Sequence, residues 1–209
     1  MLKQDQIQDG QKDILGGHID AIWLANTQQA LFNSLMQTLA RPGSLSHWSE
    51  WIEDKPVYLA VLATLLDGEV SLADADSLLN SSDWPLLQTQ TATVELADYI
   101  LCDASKPVSL QPKLGTLASP DFAATLILKV ANLSTEQGEL ALQMSGPGVN
   151  GHTQVYVSGI DQAWLENRND WCSAFPLGID CILVDDTQIM GLPRTTKLEI
   201  TEMNHGEQQ

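Results

Sequence analysis

Basic residues are scarce in this sequence. Its 209 residues include 10 lysines and arginines against 27 aspartates and glutamates, which gives a formal net charge of −17. A surface of this charge repels the phosphates of nucleic acids and the anionic headgroups of membranes. We therefore expect neither nucleic acid nor a membrane surface among the partners of this chain.

Metal-binding patterns and long apolar runs are also missing. The three cysteines, Cys102, Cys172 and Cys181, form no CxxC pair, and the four histidines are scattered, whereas zinc and iron–sulfur sites need clustered ligands. The longest apolar runs are too short to cross a bilayer, and the polar first 17 residues lack the apolar core of a secretory signal. We expect no metal site and a cytoplasmic location.

The composition is that of a folded protein with one domain. Hydrophobic residues make up 44% of the chain, and this length is sufficient to bury one full core. We predict a mobile polar leader over residues 1–17, a single α/β domain over residues 18–200 and a polar tail over residues 201–209.

Helical periodicity marks the first part of the chain. Apolar residues recur at spacings of three and four, which predicts a helix that begins near Asn26 or Thr27, ends at Pro42-Gly43 and packs through one stripe: Leu31, Phe32, Leu35, Met36 and Leu39. Arg41 either interacts with the helix dipole or contacts a partner. Further helices are predicted over residues 57–66, 73–80, 84–87 and 162–171.

Strand patterns dominate the second part. The continuous apolar run 122–130 predicts a central strand buried on both faces. The alternating runs 140–144 and 153–157, separated by a glycine-rich loop, predict antiparallel neighbours. Other strands are predicted over residues 99–103, 182–184 and 198–200. The fold class is therefore α/β, with a mixed β-sheet flanked by helices.

Three glycine- and proline-rich segments punctuate these strands, at residues 145–151, 175–180 and 191–197. Arg194 beside Thr195 and Thr196 could bind phosphate or phosphonate, since a guanidinium fork with hydroxyl donors suits tetrahedral oxyanions. Gly146 and Gly148 could add backbone amides. The alternative is that these segments are only a strand start and a sharp turn.

Asp180 stands at the head of a predicted buried strand, which leaves three roles open. It could orient Arg194, cap a neighbouring element or act in catalysis, although the sequence offers it no evident histidine or second carboxylate as a catalytic partner.

Four segments resemble, in the same order, those of the PhnH family: Ala40-Arg41-Pro42-Gly43, Ser145-Gly146-Pro147-Gly148, Phe175-Pro176-Leu177-Gly178-Ile179-Asp180 and Leu192-Pro193-Arg194-Thr195-Thr196. That family is the H subunit of the bacterial carbon–phosphorus lyase system for phosphonate breakdown. The resemblance covers about residues 28–200. It implies a fold similar to the large domain of pyridoxal-phosphate-dependent transferases without the cofactor site, and so no cofactor.

The resemblance also implies a role in phosphonate catabolism. Such a chain supports transfer of a ribose triphosphate moiety from ATP to an alkylphosphonate, as a subunit of ribose 1-methylphosphonate 5-triphosphate synthase without catalysis of its own. The implied partners are subunits of the G, I, J and L types and a second copy in a homodimer. The family offers no catalytic residue to carry over. We expect the turn segments to form one contact surface.

Two enzymatic readings compete with the subunit role. A stand-alone phosphate-ester or nucleotide-binding enzyme is one alternative, although the sequence has no GxxxxGK[ST], no GxGxxG and no carboxylate cluster for magnesium. A pyridoxal-phosphate enzyme is the other, and it would need a lysine at the end of a strand or in a loop. The lysines suitable by position are Lys106, Lys113, Lys129 and Lys197.

Overall fold

A computed structural model describes residues 19–203. The predicted leader, residues 1–17, lies outside the described residues, and so do residues 204–209 of the predicted tail. Residues 201 and 202 continue the last strand of the fold.

The helices are short apart from the first. They are α1 (Ala25–Ala40), α2 (Ser49–Ile52), α3 (Val57–Leu65), α4 (Trp84–Leu87) and α5 (Ala163–Trp171), with 3-10 turns at Ala21–Trp23 and Pro120–Phe122. The strands are β1 (Leu45–His47), β2 (Ser71–Asp74), β3 (Gln90–Thr91), β4 (Tyr99–Asp103), β5 (Thr125–Lys129), β6 (Asn132–Ser134), β7 (Leu140–Ser145), β8 (Thr153–Ser158), β9 (Asp180–Val184), β10 (Gln188–Leu192) and β11 (Lys197–Glu202).

These strands form two sheets. The larger is a mixed seven-stranded sheet in the order β1-β10-β9-β5-β4-β2-β3, in which β3, β2, β4, β5 and β9 are parallel and β10 is antiparallel to both of its neighbours. The amino-terminal ends of these parallel strands lie along one side of the sheet, and we call this row of strand ends the amino-end edge. The smaller sheet is antiparallel, in the order β11-β7-β8-β6.

The large sheet is the middle layer of three, and its side chains point alternately into two cores. Leu101, Ile127 and Ile182 face one core, which is completed by residues of α1 and α3. Their neighbours Cys102 and Leu128 face a second core, which is completed by the small sheet and α5. Because both faces are covered, the central strands are apolar throughout, as is usual for buried parallel strands.

Most predicted elements are confirmed. Helices occur at 25–40, 57–65, 84–87 and 163–171, and the strands predicted around residues 99, 126, 142, 155, 183 and 199 are all present, with β7 and β8 antiparallel. Of the predicted 122–130 strand, Phe122 instead ends a 3-10 turn, and the strand itself begins only at Thr125. In α1, Leu31 and Leu35 are buried as predicted, but Phe32 and Met36 are exposed.

The helix predicted over residues 73–80 was wrong. Residues 71–74 form β2, and the carboxylate of Asp74 accepts hydrogen bonds from the backbone N–H groups of Leu78 and Leu79. A side chain that takes these donors closes a turn and competes with the helical hydrogen bonds that the apolar spacing suggests.

The sequence also failed to predict β1, β3, β6, β10 and the division into two sheets. Gln188 and Gly191 interrupt the apolar pattern of β10, yet each is required by a contact. Gln188 donates from its side-chain amide to the carbonyl of Leu133 in the small sheet and to Asp185. At Gly191 the backbone of α1 approaches so closely that a Cβ would lie 2.7 Å from the backbone nitrogen of Leu39.

Gly191→Ala should therefore destabilise the protein. The added methyl group meets backbone rather than a flexible side chain, so α1 must move away from β10, at a cost of about 1–3 kcal/mol in the free energy of unfolding. The measurement is urea denaturation. Gly68→Ala is the control, because its nearest atom would be the carbonyl oxygen of Gln88 at 3.8 Å, an ordinary contact. Equal unfolding midpoints for the two variants would contradict this packing argument.

Asp98 joins three parts of the amino-end edge. Its carboxylate accepts hydrogen bonds from the backbone and hydroxyl of Ser71 in β2, and from Lys113 in the connection that leads to β5. Burial alone would raise the pKa of Asp98, but the hydrogen bonds from Lys113 and Ser71 outweigh it and lower the pKa below its usual value.

A lowered folded-state pKa makes the contribution of Asp98 depend on pH. The stabilisation is fully present above the pKa of the unfolded chain, about 3.9, and is lost as the pH falls through the lower folded-state value. Asp98→Asn should therefore destabilise the protein at pH 7, and the difference from wild type should shrink in acid. Urea denaturation from pH 7 to pH 3 checks this. A difference that is constant across that range would show that the carboxylate charge is not responsible.

Candidate functional site

The four motif segments, residues 40–43, 145–148, 175–180 and 192–196, meet at one side of the molecule. Gly146 follows β7, and a Cβ at this residue would lie 3.1 Å from the carbonyl oxygen of Thr195. A Cβ at Gly148 would lie 2.2 Å from the carbonyl oxygen of Ala40. Asp180 begins β9 and binds Arg194. The expectation that these turns share one surface agrees with this geometry.

Backbone conformation explains the two glycines of the Ser145-Gly146-Pro147-Gly148 turn. Gly146 has φ of +119° and Gly148 has φ of +81°, in the region that side chains with a Cβ rarely adopt. Together with the close approach to Ala40 and Thr195, this makes both positions specific for glycine. The turn thereby joins the end of α1 to the segment between β10 and β11.

Asp180 orients Arg194, one of the roles considered for it from the sequence. The Asp180 carboxylate accepts hydrogen bonds from the backbone N–H of Arg194 at 2.8 Å, from Nη2 at 2.6 Å and from Nε at 3.2 Å. Nη1 of Arg194 donates to the carbonyl of Pro120 at 2.8 Å. The guanidinium of Arg194 is thus mostly occupied within the protein and ties β9 to the loop that precedes β5.

A second arginine, Arg168 of α5, was missed by the sequence analysis. Its side chain is buried and donates to the backbone carbonyls of Thr196 and Pro193 and to the side-chain oxygen of Asn169. Arg168 holds the Pro193–Thr196 turn through two backbone carbonyls, and Asp180 holds the same turn through the N–H of Arg194. The available signal was its spacing: it lies three or four residues from Trp164, Leu165 and Trp171, on the buried face of the helix.

These residues border an open groove of about 510 Å³. Its walls come from the turn after β7, from α5 and the loop that follows it, and from the segment that leads into β11: Pro147, Arg168, Asn169, Cys172, Phe175, Arg194, Thr195, Thr196, Lys197 and Leu198. Three of these residues are basic and none is acidic. The Phe175–Pro176 peptide is cis, and the Phe175 ring is 69% exposed.

The remaining predicted site residues lie around this groove. Thr195 is exposed, whereas Thr196 is buried, and its hydroxyl has no hydrogen-bond partner among the described residues. Arg41 is exposed at the end of α1, one residue from the Ala40 carbonyl that contacts Gly148.

The sulfur chemistry and metal chemistry of the described residues are limited. Burial raises the pKa of the Cys102 thiol, and it raises the pKa of the Cys181 thiol to about 12. Neither thiol is therefore a nucleophile near neutral pH. Within residues 19–203, no group of three or more histidine, cysteine, aspartate or glutamate side chains is placed to hold a metal ion, and no helix is long and apolar enough to cross a membrane.

The Asp180–Arg194 pair should stabilise the fold measurably. Its side chains are 29% and 15% exposed, and its geometry includes several charge-assisted hydrogen bonds, so a double-mutant cycle with alanine should give a coupling energy of about 1–2 kcal/mol. Urea denaturation of the two single variants and the double variant measures it. The Lys106–Asp76 pair, in which Lys106 is 52% exposed, should show much weaker coupling. Equal coupling in both pairs would contradict a special role for Asp180.

Comparison with known proteins agrees with the four motif segments. Residues 21–199 match the family model described as bacterial phosphonate metabolism protein PhnH. HtxG of Stutzerimonas stutzeri, provisionally named a C–P lyase subunit protein, is 35% identical over 179 residues, which cover 86% of this chain and 89% of the relative.

A second relative comes from Rhizobium meliloti (strain 1021). It is named the PhnH subunit of alpha-D-ribose 1-methylphosphonate 5-triphosphate synthase, and it is 32% identical over 187 residues, which cover 82% of this chain and 90% of the relative. These matches extend over nearly all of the described fold. The chain belongs to the PhnH family of bacterial phosphonate metabolism proteins.

Proposed function

We propose that this chain is a subunit of a carbon–phosphorus lyase complex in phosphonate catabolism. In this proposal it supports transfer of a ribose triphosphate moiety from ATP to an alkylphosphonate and does not catalyse a reaction alone. Its partners are the other subunits of the system, of the G, I, J and L types. The observation that carries the proposal is the meeting of the four motif segments on one side of a chain related to named subunits.

The surface proposed for docking is the amino-end edge together with the groove. Four of the exposed large apolar side chains lie in the loops that lead into β4, β5 and β9: Leu96, Leu117, Phe122 and Phe175, with exposed fractions of 65–77%. Exposed apolar groups next to an arginine are the usual components of a protein interface. Arg194 supplies that arginine, since it donates a hydrogen bond to the carbonyl of Pro120, two residues before Phe122.

Binding at this surface would not require new backbone order. The loops that carry Phe122 and Phe175 are fixed by hydrogen bonds: Arg194 binds the carbonyl of Pro120, and the N–H of Gly178 donates to the carbonyl of Leu114 at 3.1 Å. A preorganised surface avoids the entropic cost of ordering loops when a partner binds.

Three finer features belong to the same proposal. The chain forms a homodimer when isolated, it acts in the cytoplasm, and its mixed seven-stranded sheet is similar to that of the large domain of pyridoxal-phosphate-dependent transferases. Of the four lysines considered as a possible attachment point for pyridoxal phosphate, Lys106 forms an ion pair with Asp76 and Lys113 forms one with Asp98. Purified protein incubated with pyridoxal phosphate should show no new near-visible absorbance band beyond that of the free cofactor.

Co-purification tests the subunit role. The tagged chain, expressed with the G, I, J and L subunits of its own host, should recover them. Phe175→Ser should weaken recovery by about tenfold, because removal of an exposed aromatic anchor from an interface typically costs more than about 1 kcal/mol. Phe32→Ser is the matched control, since Phe32 is 44% exposed and lies on α1, outside the loops that lead into the parallel strands.

Two outcomes would contradict this proposal. Failure of the wild-type chain to recover any of these subunits, or turnover of a phosphonate by the chain alone, would exclude the non-catalytic subunit role. Equal effects of Phe175→Ser and Phe32→Ser would leave the role intact but exclude the amino-end edge as the docking surface.

A further inference from the structure

The groove beside α5 has a charge opposite to that of the protein. The whole chain carries a net charge of −17, yet Arg168, Arg194 and Lys197 line this groove with no acidic residue among its walls. Asp180 neutralises Arg194 from outside the groove. The guanidinium of Arg168 and the ammonium of Lys197 therefore provide the excess positive charge.

Arg168 is the less usual of the two. Its side chain is buried, with 2% exposure, and its described hydrogen-bond partners are two backbone carbonyls and the amide oxygen of Asn169, all of them uncharged. Buried charges in proteins are normally paired with an opposite charge or held by a ligand. A guanidinium with only neutral acceptors therefore favours an anion nearby.

Two buried polar atoms of groove residues support the same interpretation. Among the described residues, neither Nε of Arg168 nor the hydroxyl oxygen of Thr196 has a hydrogen-bond partner. Both residues border the groove, and Nη1 of Arg168 donates to the backbone carbonyl of Thr196 at 2.8 Å, so the Arg168 side chain lies next to this residue. Buried polar groups without a partner are uncommon in folded proteins and need an explanation.

We propose that this groove is a binding site for a compact, doubly charged oxyanion. Arg168 supplies the fixed charge, Lys197 closes over the ligand from the exposed side, and the Thr196 hydroxyl donates a hydrogen bond to an anionic oxygen. Pro147, Phe175 and Leu198 give the site an apolar wall, which suits an anion that carries a small apolar substituent. This site differs from the arrangement expected from the sequence, because Arg194 is bound to Asp180 and Pro120. It does not depend on the subunit role.

The test is isothermal titration calorimetry, in which inorganic phosphate is added to the isolated full chain. The buffer has low salt and contains no other oxyanion. Sulfate, which is also tetrahedral and doubly charged, should compete with phosphate, whereas acetate at the same concentration should not. Binding should weaken steeply as sodium chloride is added, because the attraction to Lys197 is screened.

Two variants locate the site. Thr196→Val keeps the shape of the side chain and removes the unpartnered hydroxyl, so it should leave the melting temperature unchanged or higher while it weakens phosphate binding about fivefold. Lys197→Gln should weaken binding about threefold to tenfold. Arg168 is unsuitable for this purpose, because its replacement would release the turn that it holds.

Lys129→Gln is the matched control. It also removes one positive charge. Lys129 is the last residue of β5, so it lies at the carboxyl end of that strand and outside the groove. It should bind phosphate as the wild type does. The proposal is overturned if wild-type protein shows no saturable binding of phosphate or sulfate, if Lys129→Gln weakens binding as much as Lys197→Gln, or if Thr196→Val leaves the affinity unchanged.

Discussion

Two guanidinium groups hold the segment between β10 and β11 in place, and the surface around it depends on them. Arg168 reaches from α5 to the carbonyls of Pro193 and Thr196, while Arg194, within the segment, binds Asp180 at the head of β9 and the carbonyl of Pro120. Backbone carbonyls that face charged donors are fixed more firmly than those that face water or neutral amides. The segment between β10 and β11 is thereby fixed relative to α5, to the head of β9 and to the 3-10 turn that begins at Pro120.

The segments typical of the family lie where the layers of the fold meet. α1 belongs to the outer helical layer, β9 to the large sheet and β7 to the small sheet, and the turn at Gly146 and Gly148 touches the end of α1 and the segment before β11. Such contacts are made by backbone atoms at close range, which explains why glycine is required there. The same geometry explains why the motifs are short: each contains only the residues at one point of contact.

Elements whose residue pattern agrees with their surroundings could be predicted from the sequence, and the others could not. The continuous apolar run of β5 indicates a strand buried on both faces, and the alternation in β7 indicates a strand with one apolar face. β10 contains Gln188 and Gly191, whose positions are explained only by Leu133 in the small sheet and Leu39 in α1. Arg194 was found because it stands in a motif, whereas Arg168 has the form of an ordinary helix charge until its neighbours are known. Contacts of this kind join residues far apart in the chain, so a local spacing can indicate that a residue is buried but not which partner it meets.

The two ends of the parallel strands differ in the side chains that they carry. Open α/β sheets usually bind ligands at the carboxyl ends of their strands. At the carboxyl ends of β2 and β4, protein groups take up this position: Asp74 accepts the N–H groups of Leu78 and Leu79, and Asp76 accepts the N–H of Asp103 and the ammonium of Lys106. Each of these two carboxylates therefore uses both of its oxygens for donors of the protein itself. The loops at the amino-end edge instead carry four exposed apolar side chains, and one of these, Phe175, also borders the basic groove.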